Sequence, residues 1–328
     1  MVMTPTAHDA LRRAAEVIRS APSVALACHV TPDGDALGSM LALHLLCREA
    51  AKPSTASWAE PFVVAPHYAF LPGLDLTTKP DDFPVAPAVM ITFDCGSLAR
   101  LGDLAEPARR AGELIVLDHH ASNDRFGSIN VVDPDAASTT VMVRRLAAEL
   151  GWPLTRDAAL CIYTGLVTDT GRFQYSNTTP EVFGLAQELA SFDLPIAAIT
   201  RHLFEEHRFA YLQLVAACLA RAELDRELEF VATWVTRADL EHYGVEFEET
   251  EGLIDLVRRS AEAEVSCVLK ESPEGIRVSL RSISHVDVGA MATRFGGGGH
   301  KFAAGFTATG TVAEVLDAIR DALAHGGT

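Results

Sequence analysis

The sequence predicts a two-domain α/β protein, in which a parallel, doubly wound sheet is followed by a smaller α+β domain. The chain has 328 residues, a length that suits two ordinary domains. From about residue 24 to 190, short apolar runs alternate with helical patterns, which is typical of parallel strands joined by helices. After about residue 223, strand patterns separated by turns predominate. We therefore expect a first domain over residues 1–194, a helical linker over 195–222 and a second domain over 223–328.

The elements of the first domain follow from the spacing of apolar residues. The first twenty residues predict an amphipathic helix whose charged positions face water: Arg12, Arg13, Glu16 and Arg19. Buried strands are expected at Val24–Cys28, Ala88–Phe93, Leu114–Leu117 and Ser128–Val132. Helices are expected over residues 35–50, 136–150, 156–168 and 180–191.

The second domain is predicted to contain strands at Leu228–Val235, Val265–Lys270 and Gly275–Arg281. The sequence SPEG at residues 272–275 predicts a hairpin turn between the last two of these strands. A glycine run at residues 296–299 precedes another apolar, strand-like stretch. A helix at Val312–Ala324 is expected to close the chain.

Composition limits the kinds of partner. Hydrophobic residues make up 48% of the chain and charged residues 22%, which is a globular composition without a membrane-spanning run. Six single cysteines without a signal-peptide pattern predict buried free thiols in a reducing cytoplasm. The formal net charge of −17 argues against binding of long nucleic acid, which normally needs a basic surface. Any nucleotide ligand should therefore be small and bound in a local cationic pocket.

Residues of metal-ligand type follow three successive predicted strands. His29, Asp33 and Asp35 come directly after the first, and Asp94 ends the second. Asp118 ends the third, followed by two histidines, His119 and His120. Ligands of open α/β sheets bind just past the carboxyl ends of the strands, so these side chains are expected to lie together.

Asp169 is a further candidate, because it stands at the end of an apolar helix, where a carboxylate is unfavourable without a partner. Carboxylates combined with imidazoles suit Mn²⁺, and Mg²⁺ or Co²⁺ less specifically. Singly, each aspartate has a simpler interpretation as a turn residue or helix cap. A structural alternative is a single cation that only ties the strands together.

At these residues the chain resembles the DHH phosphoesterase superfamily. The resemblance is carried by HVTPDGDALGS at 29–39, DCGS at 94–97, DHH at 118–120 and TDTGRFQYSNTTP at 168–180. It implies two divalent cations, most often Mn²⁺, held by six residues: His29, Asp33, Asp35, Asp94, His119 and Asp169. Asp94 would bridge the two ions. His120 would contact the scissile phosphate as hydrogen-bond donor or acid, and Asp118 would orient an imidazole.

The second domain resembles DHHA1 domains, on the sequence LRS at 280–282 and GGGGHKFAAGF at 296–306. In that family the domain binds the nucleotide. The resemblance implies phosphate contacts from six residues: Arg281, Ser282, Gly297, Gly298, Gly299 and His300. Taken alone, the glycine run is equally consistent with a flexible hinge, and Arg281 with an ordinary exposed charge.

The order and size of the two domains are those of NrnA-type proteins. The resemblance implies a Mn²⁺-dependent enzyme that hydrolyses short oligoribonucleotides to nucleoside monophosphates, and 3′-phosphoadenosine 5′-phosphate (pAp) to AMP. Alternatives are a phosphodiesterase acting on linear or cyclic dinucleotides and a nucleotide sensor without catalysis. The expected protein is cytoplasmic, does not bind membranes, and could form a homodimer.

Overall fold

The computed structural model describes residues 5–326, which divide into two compact units between Leu203 and Phe204. Residues 1–4 and 327–328, included in the predicted domains, lie outside the described residues. Across the described part of the chain, every helix is too short or too polar to cross a lipid bilayer.

The first unit contains one five-stranded sheet in which all neighbouring strands are parallel. Its strands are β1 (Val24–Cys28), β2 (Ser54–Ser57), β3 (Val89–Phe93), β4 (Glu113–Asp118) and β5 (Ile129–Val132). They are arranged in the order β2-β1-β3-β4-β5. Every residue of β1 and β3 is buried, as expected for central strands covered on both faces.

The helices of this unit connect and cover the strands. They are α1 (Pro5–Ser20), α2 (Gly34–Glu49), α3 (Ala105–Arg109), α4 (Thr139–Leu150), α5 (Arg156–Asp169), α6 (Pro180–Ala190) and α7 (Ile196–Phe204). Short 3₁₀ turns lie at Pro66–Tyr68, Leu74–Leu76, Pro80–Asp82 and Leu98–Leu104. The predicted wet side of α1 is confirmed, because its four charged positions are exposed while Leu11, Ala14 and Ile18 are buried.

Close packing of α2 on α5 depends on small residues. A Cβ atom on Gly38 of α2 would lie only 2.5 Å from the carbonyl oxygen of Cys161 on α5. Both helices are therefore largely buried, and α2 lacks the polar face of a surface helix. This contact brings the start of α2 to the end of α5.

The second unit contains a six-stranded mixed sheet in the order β10-β11-β9-β8-β7-β6, with only β7 and β8 parallel among the described strands. The strands are β6 (Glu223–Asp225), β7 (Phe230–Val235), β8 (Val265–Ser272), β9 (Gly275–Ser282), β10 (Gly298–His300) and β11 (Ala303–Ala308). Ser272 pairs with Gly275, which confirms the predicted hairpin at this point.

Two hydrophobic cores cover the faces of this second sheet. The helices are α8 (Phe209–Ala220), α9 (Arg237–Tyr243), α10 (Leu253–Val257), α11 (Val288–Arg294) and α12 (Val312–Gly326), with a 3₁₀ turn at Phe247–Thr250. One core joins β9 residues such as Val278 and Leu280 to α11 and α12. The other packs Leu214 and Cys218 of α8 against β7 and β8.

The structure agrees with the predicted fold class, a parallel α/β unit followed by a smaller mixed-sheet unit. The stretch 195–222 contains two helices, and the second of them, α8, forms part of the core of the second unit. Three short strands, β2, β6 and β10, were not predicted from the sequence. All six cysteines are free and buried, as predicted.

Candidate metal centre

The carboxyl ends of β1, β3 and β4 lie side by side, and each is followed by residues that can bind a metal ion. His29 follows β1, Asp94 follows β3, and Asp118 ends β4 directly before His119. Because β1 pairs with β3 and β3 with β4, the three strand ends meet at one edge of the sheet. His29, Asp94 and His119 are buried there.

The N-terminal turn of α2 adds two carboxylates to this edge. Asp33 is the N-cap residue, and its Oδ1 accepts hydrogen bonds from the amides of Asp35 (3.1 Å) and Ala36 (3.0 Å). Its other oxygen, Oδ2, lies 3.8 Å from Nε2 of His29, and the side chain is 55% exposed. Asp35 is completely buried. Asp33 therefore caps the helix with one oxygen and presents the other to the centre.

Asp94 lies between two histidines. Its Oδ2 is 3.5 Å from Nε2 of His29, and its Oδ1 is 3.5 Å from Nε2 of His119. The residue has φ = +55°, a left-handed conformation that aspartate tolerates better than most side chains. This sharp turn directly after β3 places one carboxylate between two separate groups of potential ligands.

His119 lies close to the two remaining carboxylates, those of Asp169 and Asp35. Its Nε2 lies 3.1 Å from Oδ2 of Asp169 and 3.6 Å from Oδ2 of Asp35. Asp169 is the last residue of α5, and the packing of α5 on α2 brings it to the strand ends. All six predicted ligand residues therefore lie at one edge of the first sheet.

The imidazole tautomers of both buried histidines suit metal binding. Nδ1 of His29 is 2.8 Å from the carbonyl oxygen of Val30, and Nδ1 of His119 is 3.1 Å from that of Ala136. A carbonyl oxygen can only accept, so Nδ1 carries the proton in each neutral ring and Nε2 presents its lone pair. This arrangement is usual for histidines that bind metal through Nε2.

Burial and mutual repulsion perturb the carboxylates. Burial, together with the charges of Asp169 and Asp94, raises the pKa of Asp35 well above its usual range. Burial likewise raises the pKa of Asp169 to about 6. Burial also opposes ionisation of Asp94, but hydrogen bonds and charges from the neighbouring imidazoles outweigh it and hold its pKa well below normal. Divalent cations would relieve this concentration of buried negative charge.

Two overlapping sets of side chains have the right composition for cations. Ligand atoms of His29, Asp33 and Asp94 lie within 4.8 Å of one another, and the same holds for Asp35, Asp94 and His119. Both sets consist of carboxylate and imidazole, which suits Mn²⁺ and related ions better than a thiolate-rich zinc site. The residues present therefore fit the binding of divalent cations, and Asp94 belongs to both sets.

His120 is positioned mainly by Asp118, and its Nδ1 also lies 3.5 Å from Oδ1 of Asp94. Its Nδ1 lies 2.7 Å from Oδ1 of Asp118, which also accepts the amide of His119 at 2.9 Å. Asn123 donates to Oδ2 of Asp118 (2.5 Å) and to the carbonyl oxygen of Cys95 (3.0 Å). Burial lowers the affinity of His120 for a proton, but the adjacent carboxylates, Asp118 first, outweigh burial and raise its pKa. The hydrogen-bonded pair of His120 and Asp118 is therefore suited to proton donation by His120.

The predicted substrate residues of the second unit differ in accessibility. Arg281 lies on the face of β9 opposite the core that contains Val278 and Leu280, with its Nε 3.7 Å from Oδ1 of Asp255. Ser282 is buried, and its hydroxyl donates to Glu264 at 2.8 Å. Lys270 and Arg277, which pair across β8 and β9 and were not selected from the sequence, lie 2.8 and 3.8 Å from the carboxylate of Glu251, and Lys270 is buried.

The glycine run forms a tight turn and an edge strand. The amide of Gly297 donates to the carbonyl oxygen of Ala292 at the end of α11, at 2.9 Å. Gly298–His300 then forms β10, paired with β11. A Cβ on Gly297 would lie 2.2 Å from the carbonyl oxygen of Gly305, whereas Gly298 has nothing within 4 Å. The glycine run is thus part of the second sheet, and the space that a Cβ atom on Gly298 would occupy is free of neighbouring atoms.

Thr139, Thr140 and Asn123 contact the predicted site residues but were not selected from the sequence. A signal was present for the threonines, because Ser-Thr-Thr before an apolar helical stretch is a helix N-terminus pattern, and such termini bind carboxylates. Asn123 gave no comparable signal, because its contacts depend on how two loops fold.

Comparison with known proteins gives consistent matches along the whole chain. Residues 23–166 match the "DHH family, N-terminal domain" and residues 229–325 the "DHHA1 domain". A Thermus thermophilus protein named bifunctional oligoribonuclease and PAP phosphatase NrnA is 34% identical, with 98% of this chain and 97% of the relative covered. The Bacillus subtilis protein of the same name is 29% identical over 84% of this chain and 86% of its own length.

Among solved structures, an exopolyphosphatase-related protein from Bacteroides fragilis superposes with a TM-score of 0.88 and 25% identity. The alignment covers 98% of both chains.

Proposed function

The chain belongs to the DHH family of phosphoesterases with a C-terminal DHHA1 domain, and on that premise we propose that it is a two-metal, Mn²⁺-dependent oligoribonuclease and pAp phosphatase. That it is a hydrolase of phosphate esters follows from its family and from the names of its relatives. The metal, the number of ions and the substrates are the proposal.

The position of Asp94 is the observation that carries the proposal. Its two oxygens face two different histidines, so a single carboxylate serves both candidate ligand sets. Two-metal phosphoesterases hold their cations close together, and a shared carboxylate is one way to do so. When bound, the cations would supply Lewis-acid stabilisation of the phosphoryl oxygens and lower the pKa of water.

The side chains of the protein would bind the cations, orient the imidazole of His120 and donate a hydrogen bond or proton to the substrate. His29, Asp33 and Asp94 would hold one ion, and Asp35, Asp94, His119 and Asp169 the other. His120 would donate a hydrogen bond or proton to the phosphate ester, while Asp118 keeps its ring oriented through Nδ1. These roles agree with the tautomers and hydrogen bonds of the centre.

The preference for small substrates rests on charge. The net charge of −17 disfavours a long polyanion over most of the surface. On β8 and β9 of the second unit, Lys270 is buried and paired with Glu251, whereas the partly exposed Arg281, 3.7 Å from Asp255, is a cationic group that a small phosphate could reach. We propose that Arg281 and the glycine segment 297–299 with His300 contact substrate phosphates, and that Ser282 acts through its buried hydrogen bond to Glu264.

The test is Mn²⁺-dependent release of AMP from a diadenylate by the full chain, with pAp, pyrophosphate and a cyclic dinucleotide as further substrates. Asp94→Asn retains the shape of the side chain and a residue type that tolerates positive φ. It should reduce activity by about 10²–10⁴-fold, the equivalent of several kcal/mol of lost charge stabilisation. Asp103→Asn, an exposed aspartate of the same unit, is the matched control and should remain active.

Elemental analysis distinguishes the proposal from its rivals. Two ions per chain are expected, whereas one ion would favour a structural cation site and none would contradict the two-metal proposal. Tight dinucleotide binding without turnover in Mn²⁺ would favour a sensor. The domain boundaries, the cytoplasmic location and a homodimer remain predictions, the last checked by light scattering of the purified chain.

A further inference from the structure

The N-terminal end of α4 contacts two carboxylates of the metal centre at once. The amide of Thr139 donates to Oδ2 of Asp35 at 2.6 Å, and the amide of Thr140 donates to Oδ1 of Asp35 at 3.0 Å. The hydroxyl of Thr139 donates to Oδ1 of Asp94 at 3.0 Å. Thr139, Thr140 and Asp35 are completely buried and Asp94 nearly so, so water does not compete for these hydrogen bonds.

Asp35 takes the place of a local cap on this helix. The residue in the N-cap position, Ser138, makes no side-chain hydrogen bond to the amides of α4, and its hydroxyl pairs instead with that of Thr140 at 2.6 Å. The first amides of a helix need acceptors, and the positive end of the helix dipole favours a carboxylate. Asp35 is therefore held in place by the helix even before any cation binds.

The hydroxyl of Thr139 has a different consequence, because it fixes the rotation of Asp94. A carboxylate can turn about its terminal torsion, which has a broad energy minimum. With Oδ1 held by Thr139, that oxygen stays 3.5 Å from His119 and Oδ2 stays 3.5 Å from His29. Each oxygen then faces one of the two ligand sets.

We propose that Thr139 is a positioning residue, which orients Asp94 so that one carboxylate can bind two cations together. This inference rests on the proposed two-metal function, and it concerns a residue outside the six predicted ligands. In this role the side chain acts through its hydrogen bond to Asp94.

Thr139→Val tests the inference with little change in shape. It removes the hydroxyl donor but leaves the main-chain amide that binds Asp35. Loss of a hydrogen bond that orients a metal ligand typically weakens metal affinity by about 10–100-fold, and we expect this range for Mn²⁺. Thr139→Ser restores the donor and should restore affinity. Thr164→Val is the matched control, because Thr164 is also buried but donates only to the carbonyl oxygen of Leu160, at 3.0 Å.

Mn²⁺ binding to the EDTA-treated full chain is measured by titration calorimetry, and the bound ions by electron paramagnetic resonance. Two Mn²⁺ ions sharing a carboxylate give a spin-coupled spectrum, whereas separate ions give the six-line spectrum of isolated Mn²⁺. Thr139→Val should lose the coupled spectrum and Thr139→Ser should keep it. Thermal unfolding of each apo chain separates this effect from lost stability, and Thr139→Ala repeats the test should the valine variant not fold.

Two outcomes separate failure of the inference from failure of the proposed function. If the wild-type chain binds two coupled ions and Thr139→Val does the same with unchanged affinity, the positioning role is wrong and the proposed function stands. If the wild-type chain binds no Mn²⁺, or one uncoupled ion, the two-metal function itself is wrong and the inference falls with it.

Discussion

Gly165 of α5 is the position where a single methyl group should disturb the metal centre most directly. A Cβ atom there would lie 2.5 Å from Cγ2 of Thr140 and 2.8 Å from Oδ1 of Asp35. Both neighbours are completely buried, and Asp35 is tied to α4 by two hydrogen bonds. Neither can withdraw unless α2, which carries Asp35, or α4, which carries Thr140, moves away from α5.

The free energy of this substitution has two opposing parts. Overpacking a buried contact costs about 1–3 kcal/mol, whereas replacing glycine by alanine inside a helix contributes about 1 kcal/mol of stability. Gly184→Ala in α6 has only the second part, because nothing lies within 4 Å of its Cβ position. Since the helix-propensity gain is common to both variants, Gly165→Ala should be about 1–3 kcal/mol less stable than Gly184→Ala.

Urea unfolding of the two apo variants, followed by far-ultraviolet circular dichroism at pH 7, measures this difference. Gly165→Ala should also bind Mn²⁺ about 10–100-fold more weakly, because Asp35 is displaced from its position beside His119. Gly184→Ala should bind Mn²⁺ as the wild type does. Equal stabilities and equal Mn²⁺ affinities for the two variants would show that the packing argument is wrong.

The other predictions concern the His120 network, an acidic side chain and the thiols. Asp118→Asn should lower kcat about 10–100-fold with unchanged Mn²⁺ affinity, because His120 loses its charged partner. An unchanged kcat in steady-state assays would contradict the role of Asp118 in orienting His120. Burial opposes ionisation of Glu264, but amide hydrogen bonds from His285 and Ser284 lower its pKa to about 2. Its folded-state pKa lies below the unfolded value, so its contribution to stability, at most about 3 kcal/mol, is present above about pH 5 and is lost towards pH 2. Urea unfolding at several pH values compares the free energies of unfolding of wild type and Glu264→Gln. The difference between them should shrink as the pH falls from about 5 to 2. A difference that stays constant would refute the assigned role of the Glu264 carboxylate. Burial also raises the pKa of the six cysteine thiols, so the native chain should resist alkylation at pH 8 and react fully once unfolded, as counted by mass spectrometry.

Much of the fold was predictable because a buried strand or helix leaves a regular spacing of apolar residues in the sequence. The strands β1, β3 and β4 appear as apolar runs between turn residues, and the structure places them where the sequence predicts. The edge strand β2, Ser54–Ser57, was missed because small polar residues carry no such signal. The short β10 was hidden in the glycine run, where pairing with β11, rather than side-chain preference, defines the strand.

The position of α8 could not be read from the sequence either. Its residues Phe209–Ala220 are apolar on all sides, which indicates a helix without indicating a partner. The structure packs Leu214 and Cys218 against the second sheet, so the helix lies in the second unit.

The sequence by itself determined that ligand-type side chains follow three successive parallel strands, because strand direction brings consecutive carboxyl ends to one edge. Only the tertiary structure decided how those side chains are oriented. Asp35 and Thr139 are 104 residues apart in the chain, and their hydrogen bond exists because α2 and α4 pack against each other. The rotation of Asp94 likewise depends on a hydroxyl from another helix. Local sequence patterns report how each segment is buried, whereas these contacts arise from distances between segments, which packing alone sets.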